Sequence, residues 1–294
     1  MKSKITNEIE KLKNPDDIYP FLLSLYLLFK LEDIPVTFIE FSAMSGYPLR
    51  FLYRPGFADL FRCSKDFIVR NLHTFSETEI LSVEYPEVCV EEKPFVIKEN
   101  DTLIFKEGNN TYSFSDGEIT KNTLQVEGTA YAIKTAEKPN RKDFYSAEKF
   151  VLFSKLLRKE FFADSVEICG ETVFSGLTAF EKFAADLKAA KLPPEDLYGA
   201  LTSFRIQTSL SYSIPVYLLG LHHFVRRELQ NKVGSAIRAF EDFSMYIKEC
   251  ERIIGRNANL APLDLRRIAN SVKKAVSSYK KGTEELYEVE LKIS

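Results

Sequence analysis

The sequence predicts an α+β protein in two parts. Residues 1–146 mix helices with an antiparallel sheet, and residues 147–294 form an all-α helical bundle. Three observations carry this expectation. Short β-rich runs separated by hairpin turns crowd between residues 83 and 135. Runs joined that closely pair antiparallel, because a parallel crossover needs about a dozen residues or more. Beyond residue 146, apolar residues recur at helical spacing almost without interruption. The charge balance shifts at the same place, from 18 basic and 23 acidic groups before it to 22 and 19 after it.

Residues 1–14 are charged and lack the apolar core of a signal peptide. Asp16 or Asp17 is placed to cap a helix over the following residues. That helix is apolar nearly all round: Phe21, Leu22, Leu23, Leu25, Tyr26, Leu28 and Phe29. Such a helix belongs at the centre of a domain, so Leu22, Leu25 and Phe29 are expected to lie buried beneath the sheet. The apolar stretch is too short to span a bilayer. Next, the strand propensity of Val36 to Ile39 competes with a cap signal at Asp33 and a first-turn proline at Pro35. The cap and the proline predict a short helix ending before Gly46.

The β section comprises runs at 88–90, 95–97, 102–105 and 111–114. Gly108-Asn109-Asn110 and Asp116-Gly117 are hairpin-turn signals. Residues 124–135 close the set, with Gly128 as a bulge or a point of close approach. In the second half, 147–162 is one helix, and Leu177, Phe180, Phe183, Ala184 and Leu187 mark the next. Pro193-Pro194 starts another that runs towards Gln230 with a kink at Pro215. Ile237, Phe240, Phe243, Ile247, Cys250 and Ile254 share one face, and Gly255 is a natural C-terminal cap. Pro262 opens the last helix, whose apolar face carries Leu265, Ile268, Ala269, Val272, Val276 and Tyr279.

The 294 residues are 45% hydrophobic and 28% charged, with a formal net charge of −2. That balance excludes wholesale disorder and fibrous repeats, and no net positive field draws polyanions to the whole molecule. Cys63, Cys89, Cys169 and Cys250 form no C-x-x-C pair. Zinc-ribbon and thioredoxin-like motifs are therefore absent, and free buried thiols in a reducing, cytoplasmic setting are expected.

Tyr19-Pro20-Phe21-Leu22-Leu23-Ser24-Leu25, then Ser45-Gly46-Tyr47-Pro48-Leu49-Arg50-Phe51, resembles the start of the butirosin-type acyltransferase domains, relatives of papain-like peptidases. Gly176-Leu177-Thr178-Ala179-Phe180 matches a "G-x-x-A-aromatic" helix start in their second half. The resemblance implies a papain-like first domain, with a cysteine nucleophile at the N-terminus of its first helix and a histidine on the facing strand. This chain departs from that pattern at both positions. Ile18, Tyr19 or Phe21 stands where the thiol should be, and no histidine occurs between residues 83 and 135. A tyrosine hydroxyl, with a pKa of about 10, does not replace a thiolate at neutral pH.

Other chemistries are weaker. The histidines are His73, His222 and His223. Cys63 and His73 lie ten residues apart with nothing to fix a dyad geometry. His222 and His223 point about 100° apart on a helix, so they do not share a metal, and Glu228 stands off the ideal offsets. Phosphate-binding glycine loops and G-x-S-x-G are absent, so no nucleotide or other cofactor is implied. On the last helix Arg266-Arg267, Lys273-Lys274 and Lys280-Lys281 recur every seven residues. Arg267, Lys274 and Lys281 point away from the apolar stripe, as a solvated face or as a docking face for an acidic partner. No aromatics interleave with them, which argues against single-stranded nucleic acid.

The expected function is therefore binding: an inactive papain-like, acyltransferase-related fold that takes a small molecule or peptide, with neither a membrane nor nucleic acid as partner. Tyr19, Tyr47, Arg50 and Tyr53 mark the expected ligand side, within an aromatic cluster that otherwise serves as core. The rival expectations are an acyl or peptidyl transferase with its nucleophile relocated to Cys63 or Cys89, and a helical scaffold that docks an acidic partner.

Overall fold

The computed structural model describes residues 1–12, 18–57, 60–84, 93–107, 110–115, 117–121, 128–134, 139–168, 170–190, 192–256 and 260–293. In chain order the elements begin with α1 (Lys2–Glu10), α2 (Pro20–Leu31), α3 (Phe38–Met44), β1 (Leu52–Tyr53) and α4 (Lys65–Ser76). Then come β2 (Glu79–Glu84), β3 (Phe95–Ile97), β4 (Leu103–Glu107), β5 (Asn110–Ser115), β6 (Glu118–Lys121) and β7 (Thr129–Lys134). The remainder is α5 (Ala147–Phe161), β8 (Ser165–Ile168), β9 (Glu171–Ser175), α6 (Gly176–Ala189), α7 (Pro194–Thr208), α8 (Ser213–His222), α9 (Gln230–Arg256) and α10 (Pro262–Ile293). The chain divides into two compact units: Met1–Ser45 with Lys65–Phe144, and Gly46–Ser64 with Tyr145–Ser294.

The first unit is a sheet with helices against it. Among the described residues the strand order is β2-β7-β3-β4-β5-β6, and every neighbouring pair is antiparallel. β7 returns between β2 and β3, so Phe95 sits opposite both Ile104 and Ala132. Phe95, Ile97, Ile104 and Ala130 form a core cluster, with Val83 and Ala132 packed against it. Helix α2 packs against β3, β4, β5 and β7, and Leu22, Leu25 and Phe29 are fully buried, as expected. Phe29 and Tyr26 set their rings edge-on against Phe41 of α3, at 5.0 and 5.6 Å.

Several local expectations are corrected here. Helix α2 begins at Pro20 with Tyr19 as its N-cap residue, not at Asp16 or Asp17, which lie outside the described residues. A proline at the first helical position has a φ already suited to a helix and no N–H to leave unpaired. The short helix after Asp33 does end before Gly46, but its cap is Thr37. Thr37 and Glu40 form a reciprocal capping box there, while Asp33 is left-handed at φ 58°. The β section is also wider than expected: β2 starts at Glu79, and β6 was not anticipated. The run at 88–90 and the turn at Gly108-Asn109 lie outside the described residues.

The second unit is mostly helical, but it is not all-α. The hairpin β8–β9 pairs with β1, with Leu52 opposite Ser175 and Tyr53 opposite Phe174. The correction has a sequence cause: Val166, Ile168, Val173 and Phe174 are β-formers flanking the turn residue Gly170. Their run is short enough to be absorbed into a helical pattern.

The helix expected to run on from Pro194 breaks instead. α7 stops at Thr208 and α8 starts at Ser213, so Pro215 lies in the first turn of a new helix rather than at a kink. Gly255 lies inside α9 rather than capping it. The long helices α9 and α10 run antiparallel, as the pairs Lys232–Glu288 and Cys250–Ile268 require. Tyr279 is the centre of their seam. It stacks on Phe161 at 4.4 Å, and Phe240 and Phe243 meet it edge-on at 5.2 and 5.0 Å.

Candidate functional site

The start of α2 is where the resemblance places a nucleophile. Its occupants are Tyr19, fully buried, and Phe21, whose ring centroid lies 5.5 Å from that of Tyr131 on β7. Lys65 of α4 places its ammonium 5.3 Å from the Phe21 centroid and pairs with Asp101 at 2.6 Å. Ser24 donates to the Asp101 carbonyl at 2.6 Å.

Tyr131 donates to Asp66 at 2.7 Å, and Lys98 donates to the same oxygen at 2.9 Å. The hydrogen bond from Lys98, joined by that of Tyr131, holds the Asp66 carboxyl below its ordinary range. Burial, then the Asp66 contact, pushes the Tyr131 hydroxyl up to about 12. The group facing the helix start is thus a protonated phenol at neutral pH, tied into an ion-pair cluster. It does not take a proton from a nucleophile there.

The other expected site residues belong to the second unit. Tyr47 is buried, and its hydroxyl donates to the Ile206 carbonyl at 3.4 Å. Burial raises its pKa well above the usual phenol value. Arg50 faces Glu160, with Nε 3.8 Å from Oε2. Tyr53 donates to Asp186 at 3.0 Å, and burial, then the Asp186 charge, raises its hydroxyl too. These three side chains brace the helices from inside, in the manner of core residues.

What Tyr53 braces is a groove. Asp186 of α6 accepts from Tyr53 on one oxygen and from Lys182, at 3.1 Å, on the other. Asp186, itself buried, is also among the residues lining a concavity of about 410 Å³ between α6, α7, the end of α9 and the start of α10. Leu187, Leu197, Leu201 and Leu265 supply apolar wall; Thr202 and Arg205 supply polar groups. Tyr198, 75% exposed, stands at the rim. The volume falls in the range of about 300–1,000 Å³ usual for small-molecule sites, and so does the mixture of apolar wall with few polar groups. Sequence reasoning passed over Asp186, yet a signal was there: an acid beside Phe183 and Leu187 on a core-facing stripe. The groove itself joins four separate segments, which no local pattern brings together.

Cys89 lies outside the described residues, as do Cys169 and the side chain of Cys63. His73 is exposed on α4, its Nδ1 3.1 Å from the Thr78 carbonyl oxygen. His222 places Nε2 3.1 Å from the Gln230 carbonyl oxygen, and the rings of His222 and His223 are 77° apart. Among the described residues no three His, Cys, Asp or Glu side chains cluster as metal ligands. None of the described helices is long and apolar enough to cross a membrane.

Cys250 is buried on α9, and burial, then Glu251 and Glu249, pushes its thiol up to about 12. Its Sγ lies 3.7 Å from the Ile268 carbonyl oxygen. Iodoacetamide at neutral pH is therefore expected to leave Cys250 unlabelled in the native protein and to label it once the chain is unfolded. Rapid native labelling, mapped by peptide mass, would contradict the packing of α9 on α10.

No family model matches the chain, and no curated protein matches it.

Proposed function

We propose that this chain is a catalytically inactive member of the papain-like, acyltransferase-related fold, and that its working property is to bind a small amphiphilic molecule. The observation that carries this reading is the groove beside Asp186, where apolar walls from α6, α7 and α10 meet a few polar groups. The inactive part of the reading rests on chemistry. Acyl transfer needs a nucleophile, a base and an oxyanion site converging within about 3 Å. The matching helix start carries Tyr19 and Phe21 instead, faced by the protonated phenol of Tyr131. A buried helix under an antiparallel sheet is the layout that the resemblance implies.

Two experiments test it. In a screen with thioester and peptide substrates, wild-type protein is expected to show no turnover. Tyr19→Cys is expected to show none either, because no imidazole faces that position. Turnover abolished by Cys63→Ala or His73→Ala would overturn the inactive reading in favour of a relocated nucleophile. For the groove, the probe is 8-anilinonaphthalene-1-sulfonate, followed by fluorescence titration. Thr202→Phe fills the groove and is expected to weaken binding about tenfold or more with the circular dichroism unchanged. Binding that survives Thr202→Phe but is lost in Leu219→Ser would move the site to the exposed apolar groove of Val216, Leu219 and Met245 between α8 and α9. That outcome would overturn the assignment.

A further inference from the structure

The exposed face of α10 carries a charge pattern that the groove does not use. Leu265, Ile268, Val272, Ala275 and Tyr279 are buried against the rest of the unit. Arg266, Arg267, Lys273, Lys274, Lys280 and Lys281 are all exposed on the other side. With 3.6 residues per turn, the six cations fall into two rails. Arg266, Lys273 and Lys280 run along one border of the exposed face; Arg267, Lys274 and Lys281 run along the other. Asn270 and Ser277, also exposed, lie between the rails. No acidic residue occurs from residue 265 to residue 283.

Among the described residues little of this charge is neutralised. Arg267 has Asp264 at 3.8 Å, and Lys274 lies 5.7 Å from the Tyr246 ring centroid. Among the described residues, Arg266, Lys273, Lys280 and Lys281 take part in no ion pair. Four unpaired cations beside two weakly held ones leave a positive strip about 21 Å long.

We propose that this face docks an acidic α-helix of a partner protein, laid along the channel between the rails. The period selects a helix. Pairs that repeat every seven residues recur every about 10.5 Å, the spacing at which heptad-placed glutamates recur on a second helix alongside. The filling of the channel agrees. Asn270 and Ser277 are small enough for helix axes to approach to about 8–10 Å, as packed helices do. Flanking charges then set partner and register, as they do at the edges of a coiled coil. Other anions fit less well. From Arg266 to Lys281, α10 itself places no aromatic between the rails on which bases could stack, and no apolar side chain there to enter a bilayer; exposed Leu263 lies a turn before the first cation, and Tyr246 of α9 stands beside Lys274.

The test uses the full chain and a fluorescein-labelled helical peptide with paired glutamates at heptad spacing, read by fluorescence anisotropy. Its comparison peptide has the same composition with the glutamates scrambled. The heptad peptide is expected to bind about tenfold more tightly than the scrambled one, and about 0.5 M salt should abolish the difference. The double reversal Lys273→Glu with Lys280→Glu is expected to remove binding of the heptad peptide. Reversal of exposed Lys155 on α5 should leave it intact. Equal affinity for the two peptides would overturn the proposal. So would tighter binding to a short DNA duplex or to phosphatidylserine vesicles, or retained binding in the double reversal.

Discussion

Gly176→Ala is expected to destabilise the second unit by about 3–5 kcal/mol, seen as a fall of about 10 °C or more in its thermal midpoint. Gly176 joins β9 to α6 at φ 55°, in the left-handed region that a Cβ disfavours. Space is the larger obstacle. An added Cβ would lie 2.3 Å from the Glu160 carbonyl oxygen and 2.5 Å from that of Phe161. Both belong to the backbone at the end of α5, so no side-chain rotation relieves the clash. The N–H of Gly176 also donates to the Phe51 carbonyl at 3.0 Å, so any shift of the glycine loosens the segment carrying β1. Gly234→Ala is the matched control. It lies inside α9, and the nearest atom to its added Cβ is 4.0 Å away, at the flexible end of Arg238. There the better helix propensity of alanine should add up to about 1 kcal/mol. Equal melting of wild type and Gly176→Ala would reject the β9–α6 junction as described.

Phe204→Ala is expected to cost about 3–5 kcal/mol, lowering the urea midpoint without changing the slope. Phe204 of α7 is fully buried and stacks on Phe183 at 4.8 Å and 11°. It also meets Phe51 edge-on at 5.5 Å, while Phe51 stacks on Phe180 at 4.4 Å. Removing one ring leaves a cavity bounded by Phe180 and Phe183 of α6 and by Phe51 beside β1, two segments that cannot collapse together. Phe204→Leu should cost roughly half as much, since it keeps most of the volume. A cost under about 1 kcal/mol for the alanine variant would show that Gly46–Ser64 is not bound to α6 and α7 through these rings.

That segment shows where sequence reading stops. Phe51 and Tyr53 were legible as an aromatic cluster, but nothing local says which elements share it. Chain order assigns residues 46–64 to the N-terminal part. Leu52, however, hydrogen-bonds through both N–H and carbonyl to the side chain of Gln207, 155 residues away. A strand of two residues carries too little periodicity to be seen, and its partners β8 and β9 are short for the same reason. The groove beside Asp186 fares likewise. Only an acid on an apolar stripe hinted at it, and the companion walls come from helices distant in sequence.

By itself the sequence determined what depends on near neighbours. Patterned apolar residues made α2 a buried helix, made β3, β4 and β5 strands, and made α9 and α10 long helices. It also determined the absence of thiol and imidazole from the positions the resemblance assigns them, and the cationic heptads of α10. Tertiary structure alone decided the return of β7 between β2 and β3, the break between α7 and α8, and the pairing of β1 with β9 inside the helical unit. It alone brought Tyr53 to Asp186 and Tyr131 to Asp66. The physical reason is range. Helix and hairpin hydrogen bonds close over a few residues, so composition nearby decides them. Side-chain packing and strand pairing join residues from about 35 to 155 positions apart, and there shape and burial choose among partners that local sequence leaves equivalent.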